Sequence, residues 1–127
     1  MIKNFLIIHC IGNNDRLGLR INKDFFIYNF QSENNVNETL VLEVSNFLNK
    51  HNVKLDETYS IIVNQGPGSF SRTRISLAVA KGLKISKKIP IYGYKDTDLK
   101  EFNQENIEKL INKKLIEKKL IKPIYLS

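Results

Sequence analysis

The sequence predicts an α/β domain built on a mixed sheet with crossover helices, and three observations carry that prediction. Residues 61–93 read without a break as strand, tight loop, helix and strand. Ile61, Ile62 and Val63 form a β-branched run, Asn64, Gln65, Gly66, Pro67 and Gly68 end it, and an apolar-rich segment at helical spacing follows over 71–85. That is a βαβ unit, which requires a parallel pair of strands. Ahead of it lie three short strand-like segments separated by turn residues, as in an antiparallel meander. Finally, 127 residues with 42% hydrophobic content suffice for one modest core without metal or disulfide support.

Taken in order, residues 5–11 are a mostly apolar strand, and Gly12, Asn13 and Asn14 form a turn tolerant of positive φ. Leu17, Leu19 and Ile21 alternate with Gly18 and Arg20. Asn22, Lys23 and Asp24 then turn the chain into a third strand over 25–30. The polar stretch 31–36 reads as a loop and Asn37 as the N-cap of a helix with Leu40, Val41, Val44, Phe47 and Leu48 on one face, closed near Asn52. In the helix after the Gly-Pro-Gly loop, Ile75, Ala78, Val79 and Gly82 form a stripe suited to packing on the sheet. A second stripe, Ser76, Ala80 and Leu83, lies on another side. Leu42 likewise falls outside the main stripe of the first helix, so a second covering layer is expected, either another protein or the C-terminal helix. From 100 to 122 the chain is rich in Lys, Glu, Asn and Ile, with Ile107, Leu110, Ile111, Leu115 and Ile116 at helical spacing. The expected helix over 107–121 lies against the sheet and stops at Pro123. Strand order β, β, β, α, β, α, β in a five-stranded mixed sheet, with right-handed crossovers, is the pattern of a ribonuclease-H-like half-domain.

Composition narrows the chemistry. A single Cys10 makes no internal disulfide, and with His9 and His51 alone beside it there is no metal set, so the reading is a cytoplasmic protein without metal. The run 5–11 is too short to span a bilayer or act as a secretory signal. The formal charge of +7 is concentrated: residues 64–95 contain no acidic side chain, while Arg72, Arg74, Lys81, Lys84, Lys87, Lys88 and Lys95 supply seven positive charges. A clustered patch attracts phosphates, so a phosphate-bearing partner for residues 72–95 is one expectation and a solvated face another.

Gly66, Pro67, Gly68 and Ser69, placed between a strand and a helix, bring backbone N–H groups to a helix N-terminus, where an anion is favoured. The loop is not a P-loop, since no Gly-Lys-Ser/Thr follows, nor a dinucleotide fingerprint, since Ser71 stands at the third glycine position. The competing and stronger reading is a tight turn capped by Ser69 or Ser71. Ser69, Ser71 and Thr73 are capping hydroxyls rather than nucleophiles, because nothing supplies the orienting third member of a triad with His9 or His51. No catalytic residue and no cofactor is assigned.

The segment GPGSFSRTRISLAVAKGL followed by IPIYG closely resembles the signature of the TsaB family. Gly66, Pro67, Gly68, Ser69, Phe70, Arg74, Ile75, Ala80, Lys81, Gly82, Leu83 and Pro90 fall on signature positions, whereas Arg72 and Thr73 depart from it. The resemblance, over residues 5–99, implies an actin-like ATPase half-domain. It also implies a non-catalytic subunit of the tRNA threonylcarbamoyladenosine machinery, pairing with TsaD in a complex that engages TsaE, or with a second copy of itself when alone, and meeting tRNA indirectly or through the basic stretch Arg72 to Lys95, whose charges face tRNA, TsaD or only solvent. The second apolar stripe motivates an interface on the two helices, through Leu40, Val44, Phe47, Arg74, Ser76, Ala80 and Leu83, and the resemblance supplies the partner. Where the family has Asp-Thr-Ser after its first strand, this chain has His9, Cys10 and Ile11. The expected division is a half-domain over 1–99, with residues 100–127 supplying a helix and tail in place of a second lobe and closing on Pro123, Ile124, Tyr125 and Leu126.

Overall fold

The computed structural model describes residues 3–12, 14–29, 39–118 and 124. β1 (Asn4–His9), β2 (Arg16–Ile21) and β3 (Asp24–Asn29) form the meander, and α1 (Thr39–Lys50) leads to β4 (Tyr59–Asn64). α2 (Phe70–Lys87) crosses to β5 (Ile91–Tyr94), and a helical turn, Asp96–Asp98, precedes α3 (Gln104–Asn112). The sheet runs β3-β2-β1-β4-β5, antiparallel within the meander and parallel across β1, β4 and β5. The five-stranded mixed sheet is the one the sequence predicts. Asn14, Asn22 and Asn52 have φ of 53°, 57° and 55°, the left-handed region that asparagine tolerates at turns and helix ends. The loop expected over 31–36 and the Asn37 cap lie outside the described residues.

Side chains alternate across the strands, so each strand feeds two cores. Leu6, Ile8, Cys10, Ile61 and Val63 face α1 and α2, while Phe5, Ile7, Ile62 and Tyr94 face the other side, where Leu99, Phe102, Ile107 and Leu110 cover them. β1 and β4 are therefore buried on both faces, which explains their near-continuous apolar runs.

The structure corrects three readings of the helices. In α1, Leu40, Val44, Phe47 and Leu48 enter the core, but Val41 is 59% exposed. In α2 the inward stripe is Thr73, Ser76, Leu77 and Ala80, whereas Ile75 and Val79 are half-buried and Ala78 and Gly82 exposed. Counting apolar residues pointed to the wrong face because Ser76 goes inward for its hydroxyl, which donates to the Cys10 carbonyl at 2.6 Å and lies 2.9 Å from that of Arg72. Nor does the helix expected over 107–121 run that far. After Asn112, Lys114 takes φ of 58°, and the chain then extends so that Glu117 exchanges backbone hydrogen bonds of 2.7 and 2.8 Å with Gly93. The unpaired edge of β5 offers those groups, and satisfying them competes successfully with another helical turn. Of the closing tail, Pro123, Tyr125 and Leu126 lie outside the described residues. Ile124 donates its N–H to the Gln65 carbonyl at 2.6 Å.

Candidate functional site

At the C-terminal ends of the three parallel strands, the pairing register and the two-residue alternation put His9, Asn64 and Tyr94 in one row on the α3 side. The Tyr94 hydroxyl lies 2.7 Å from His9 Nδ1. The Asn64 amide nitrogen is 3.0 Å from the same atom and donates to Asp96 Oδ1 at 3.1 Å. With Nδ1 accepting, the ring proton sits on Nε2, 4.0 Å from Asp96 Oδ1. Burial lowers the His9 pKa against the pull of Asp96 and Asp15, so the ring is neutral. Burial likewise raises the Tyr94 phenol and the Cys10 thiol, which keeps both protonated. A recess of about 240 Å³ opens beside the row, lined by His9, Arg16, Asp96, Lys100, Glu101 and Phe102 among others. Sequence reasoning gave His9 no catalytic role, as a core or strand-end residue, and did not single out Tyr94 or Asp96. The available signal was position: His9, Asn64 and Tyr94 are each the last residue of a parallel strand.

The Gly-Pro-Gly loop is tied into the same end of the sheet. Gly66, with φ of 99° and a cis bond to Pro67, donates its N–H to Asn64 Oδ1 at 2.8 Å, and its carbonyl accepts from the Asp96 amide at 2.8 Å. Ser69 donates its N–H to the Ile11 carbonyl at 2.7 Å and caps α2, its hydroxyl accepting from the Arg72 amide. A Cβ on Gly68 would stand 2.5 Å from that of Ile11, so the loop lies flat against the end of β1. Two of the N–H groups considered for an anion, those of Gly66 and Ser69, thus already donate within the chain. Arg72 is buried, its Nε donating to Asp15 Oδ2 at 2.9 Å and Nη2 to the same oxygen. The departure from the family signature at position 72 is therefore matched by an acid from the turn before β2.

The residues assigned to an interface divide. Leu40, Val44, Phe47, Ser76 and Ala80 are buried in this chain's own core, Leu83 is half-buried, and Arg74 is exposed, its guanidinium 5.1 Å from the centroid of the Phe70 ring. Along α2, Ile75, half-buried against this chain's own core, is followed by the exposed Ala78, Gly82 and Ile85, spaced three, four and three residues apart. Ile85 is 82% exposed, and a Cβ on Gly82 would meet nothing within 4 Å. Val41 and Leu42 are exposed on α1, which packs beside α2 on the same side of the sheet. A further shallow apolar recess is lined by Phe70, Ser71, Arg74, Ile75 and Ala78.

An antiparallel meander joined to parallel strands by crossover helices defines an α/β domain of ribonuclease-H-like, actin-like fold. Two solved Pseudomonas aeruginosa structures share it: YeaZ, and a protein described as similar to peptidase YEAZ. Each has a TM-score of 0.69 and 19% identity over 77% of this chain, covering 46% and 45% of the respective neighbour. Residues 31–114 match the family model described as TsaD, tRNA N6-adenosine threonylcarbamoyltransferase, and the chain belongs to that family, on its TsaB side. A curated relative, the tRNA threonylcarbamoyladenosine biosynthesis protein TsaB of Buchnera aphidicola subsp. Baizongia pistaciae (strain Bp), is 43% identical over 65 residues. That alignment takes in 50% of this chain and 29% of the relative, so the matched stretch spans less than a third of the relative's length. Among the described residues, no helix is long and apolar enough to cross a membrane, and no cluster of three or more His, Cys, Asp or Glu is placed to hold a metal.

Proposed function

We propose that this chain is a non-catalytic, cytoplasmic scaffold subunit of the machinery that makes tRNA threonylcarbamoyladenosine, docking a TsaD-type subunit through the outer faces of α1 and α2. In this reading TsaE joins the larger complex and no cofactor is held by this chain. The observation that carries it is the stripe Ile75, Ala78, Gly82 and Ile85, of which the last three are exposed. Three-four-three spacing with small residues in the middle suits close packing of one helix on another, and a helix with no other use for that face leaves it polar. In isolation the same stripe pairs with a second copy of the chain.

The strand ends support the scaffold role from the other side. Phosphoryl transfer depends on positioned donors and metal electrostatics. Here the Gly66 and Ser69 amides are already engaged, and a neutral His9 stands where the resemblance leads one to expect an acid. The test is co-purification with the TsaD-type subunit. Ala78→Glu and Gly82→Glu should each abolish complex formation with folding retained, whereas Ala80→Glu should unfold the chain. Assembly undisturbed by both outward variants removes this face from the interface, and saturable ATP turnover by the isolated chain ends the non-catalytic reading.

A further inference from the structure

The basic run seen in the sequence does not form one surface. Arg72 is buried against Asp15, and Lys95 leaves β5 at the C-terminal end of the strands. A different cationic surface is assembled at the opposite end, where β1, β4 and β5 begin. Lys3 precedes β1, and the turn holding Lys23 is fixed beside it because the Asn22 amide donates to Asn4 Oδ1 at 2.7 Å. α1 terminates there in Lys50, with His51 stacked 4.1 Å from Phe26 of β3, and the link onward to β4 carries Lys54. α2 ends there in Lys84 and Lys87, capped by Lys88, just before β5. All seven lysines are exposed and, among the described residues, none is in an ion pair. The acids described at the same end include Asp24, Asp56, Glu57 and Glu108; the Asp56 carboxylate accepts from the Thr58 amide at 2.8 Å, and Glu108, which lines a recess with Lys3 and Lys23, is paired with Arg20.

We infer that this end of the sheet docks the phosphodiester backbone of an RNA. Lysines contributed by four separate chain segments neutralise phosphates and release their counterions without reading bases. Phe26 and His51 are stacked on each other and Tyr59, at the start of β4, packs against the core, so the contact rests on lysines rather than on ring stacking and is independent of sequence. Ile85 is the one large exposed apolar residue nearby among the described residues, too little to anchor a lipid surface. The charge complementarity stands on the structure, while the choice of RNA as the polyanion rests on the tRNA-modifying role proposed above.

The test is fluorescence anisotropy of the full chain with a labelled, unmodified tRNA transcript, from about 50 to about 200 mM salt, where affinity should fall steeply. Replacing Lys84, Lys87 and Lys88 together by Ala should weaken binding roughly tenfold or more and flatten the plot of log affinity against log salt by about two units. The triple Lys→Arg variant should bind as the parent does, and Lys95→Ala, at the far end, should change neither quantity. A triple alanine variant indistinguishable from Lys95→Ala overturns the inference. So does lysine-dependent binding to phosphatidylserine vesicles without retention of tRNA. Failure of the scaffold proposal is separable: it appears as lost co-purification with tRNA binding intact, whereas failure here leaves co-purification intact.

Discussion

Gly68 and Gly82 lie on the same crossover and are opposites. At Gly68 an added Cβ would collide with Ile11, whereas at Gly82 it would enter open space. The regions around them differ in the same way. Around Gly68, polar groups from β1, β4, β5 and the loop satisfy one another: Asn64 with Asp96 and Gly66, Ser69 with Ile11 and Arg72, Arg72 with Asp15. Around Gly82, Ala78 and Ile85 stand exposed at helix-packing intervals, and among the described residues nothing lies within 4 Å of a Cβ built on Gly82. Groups that end in one another have little capacity left for a ligand, while an apolar face without a cover gains free energy from any matching surface. The loop that looks like a binding motif therefore does structural work, and the featureless side of α2 is the surface suited to a partner.

The largest effect should come from breaking the closed end. Asp15→Ala leaves the buried Arg72 guanidinium without its carboxylate and should cost about 3–5 kcal/mol in urea denaturation. Gly68→Ala should cost about 1–3 kcal/mol, because the Ile11 backbone must shift to admit the methyl group. Thr73 offers a gain instead: its hydroxyl is buried with no hydrogen-bond partner among the described residues, so Thr73→Val should stabilise the fold by about 1 kcal/mol in the same assay. Gly82→Ala should add about 0.5–1 kcal/mol to the isolated chain through helix propensity, yet weaken docking if a partner helix approaches at that point. A loss of stability in the isolated Gly82→Ala variant would mean that this face is not free.

The smallest effect is in pH. Burial holds the His9 pKa below its ordinary 6.5, so between the two values the unfolded chain binds a proton that the folded chain does not. The His9 contribution to stability is present above pH 6.5 and is lost as pH falls through the folded value. Thermal melts from pH 8 to about pH 5 should show a decline that His9→Gln flattens. An equal decline in that variant would assign the titration to other groups.

Much of the architecture was legible because it is written locally. Asparagines at the turns, β-branched runs and the Gly-Pro-Gly break mark the elements, and a parallel pair follows from any strand–helix–strand unit. The end of the last helix was not legible. Ile107, Leu110 and Leu115 share one period in sequence, but the free edge of β5 draws residue 117 into an extended bridge. The candidate site was legible only as a loop. His9, Asn64, Tyr94 and Asp96 become a cluster through parallel register, and nothing in their spacing of 55, 30 and 2 residues announces it.

By itself the sequence determined the number and order of the strands, the crossover, and the family signature carried by residues 66–83, all of which depend on short-range pattern. The tertiary structure alone decided which face of α2 is inward, because the choice turns on a hydroxyl meeting the Cys10 carbonyl of a strand 66 residues away rather than on hydrophobicity. It also decided where the charge gathers. Lys3, Lys23, Lys54 and Lys88 are scattered along the chain, and only the common direction of β1, β4 and β5 brings them to one end. Charge repulsion and complementarity act through space, so a run in the sequence and a patch on the surface can be different sets of residues.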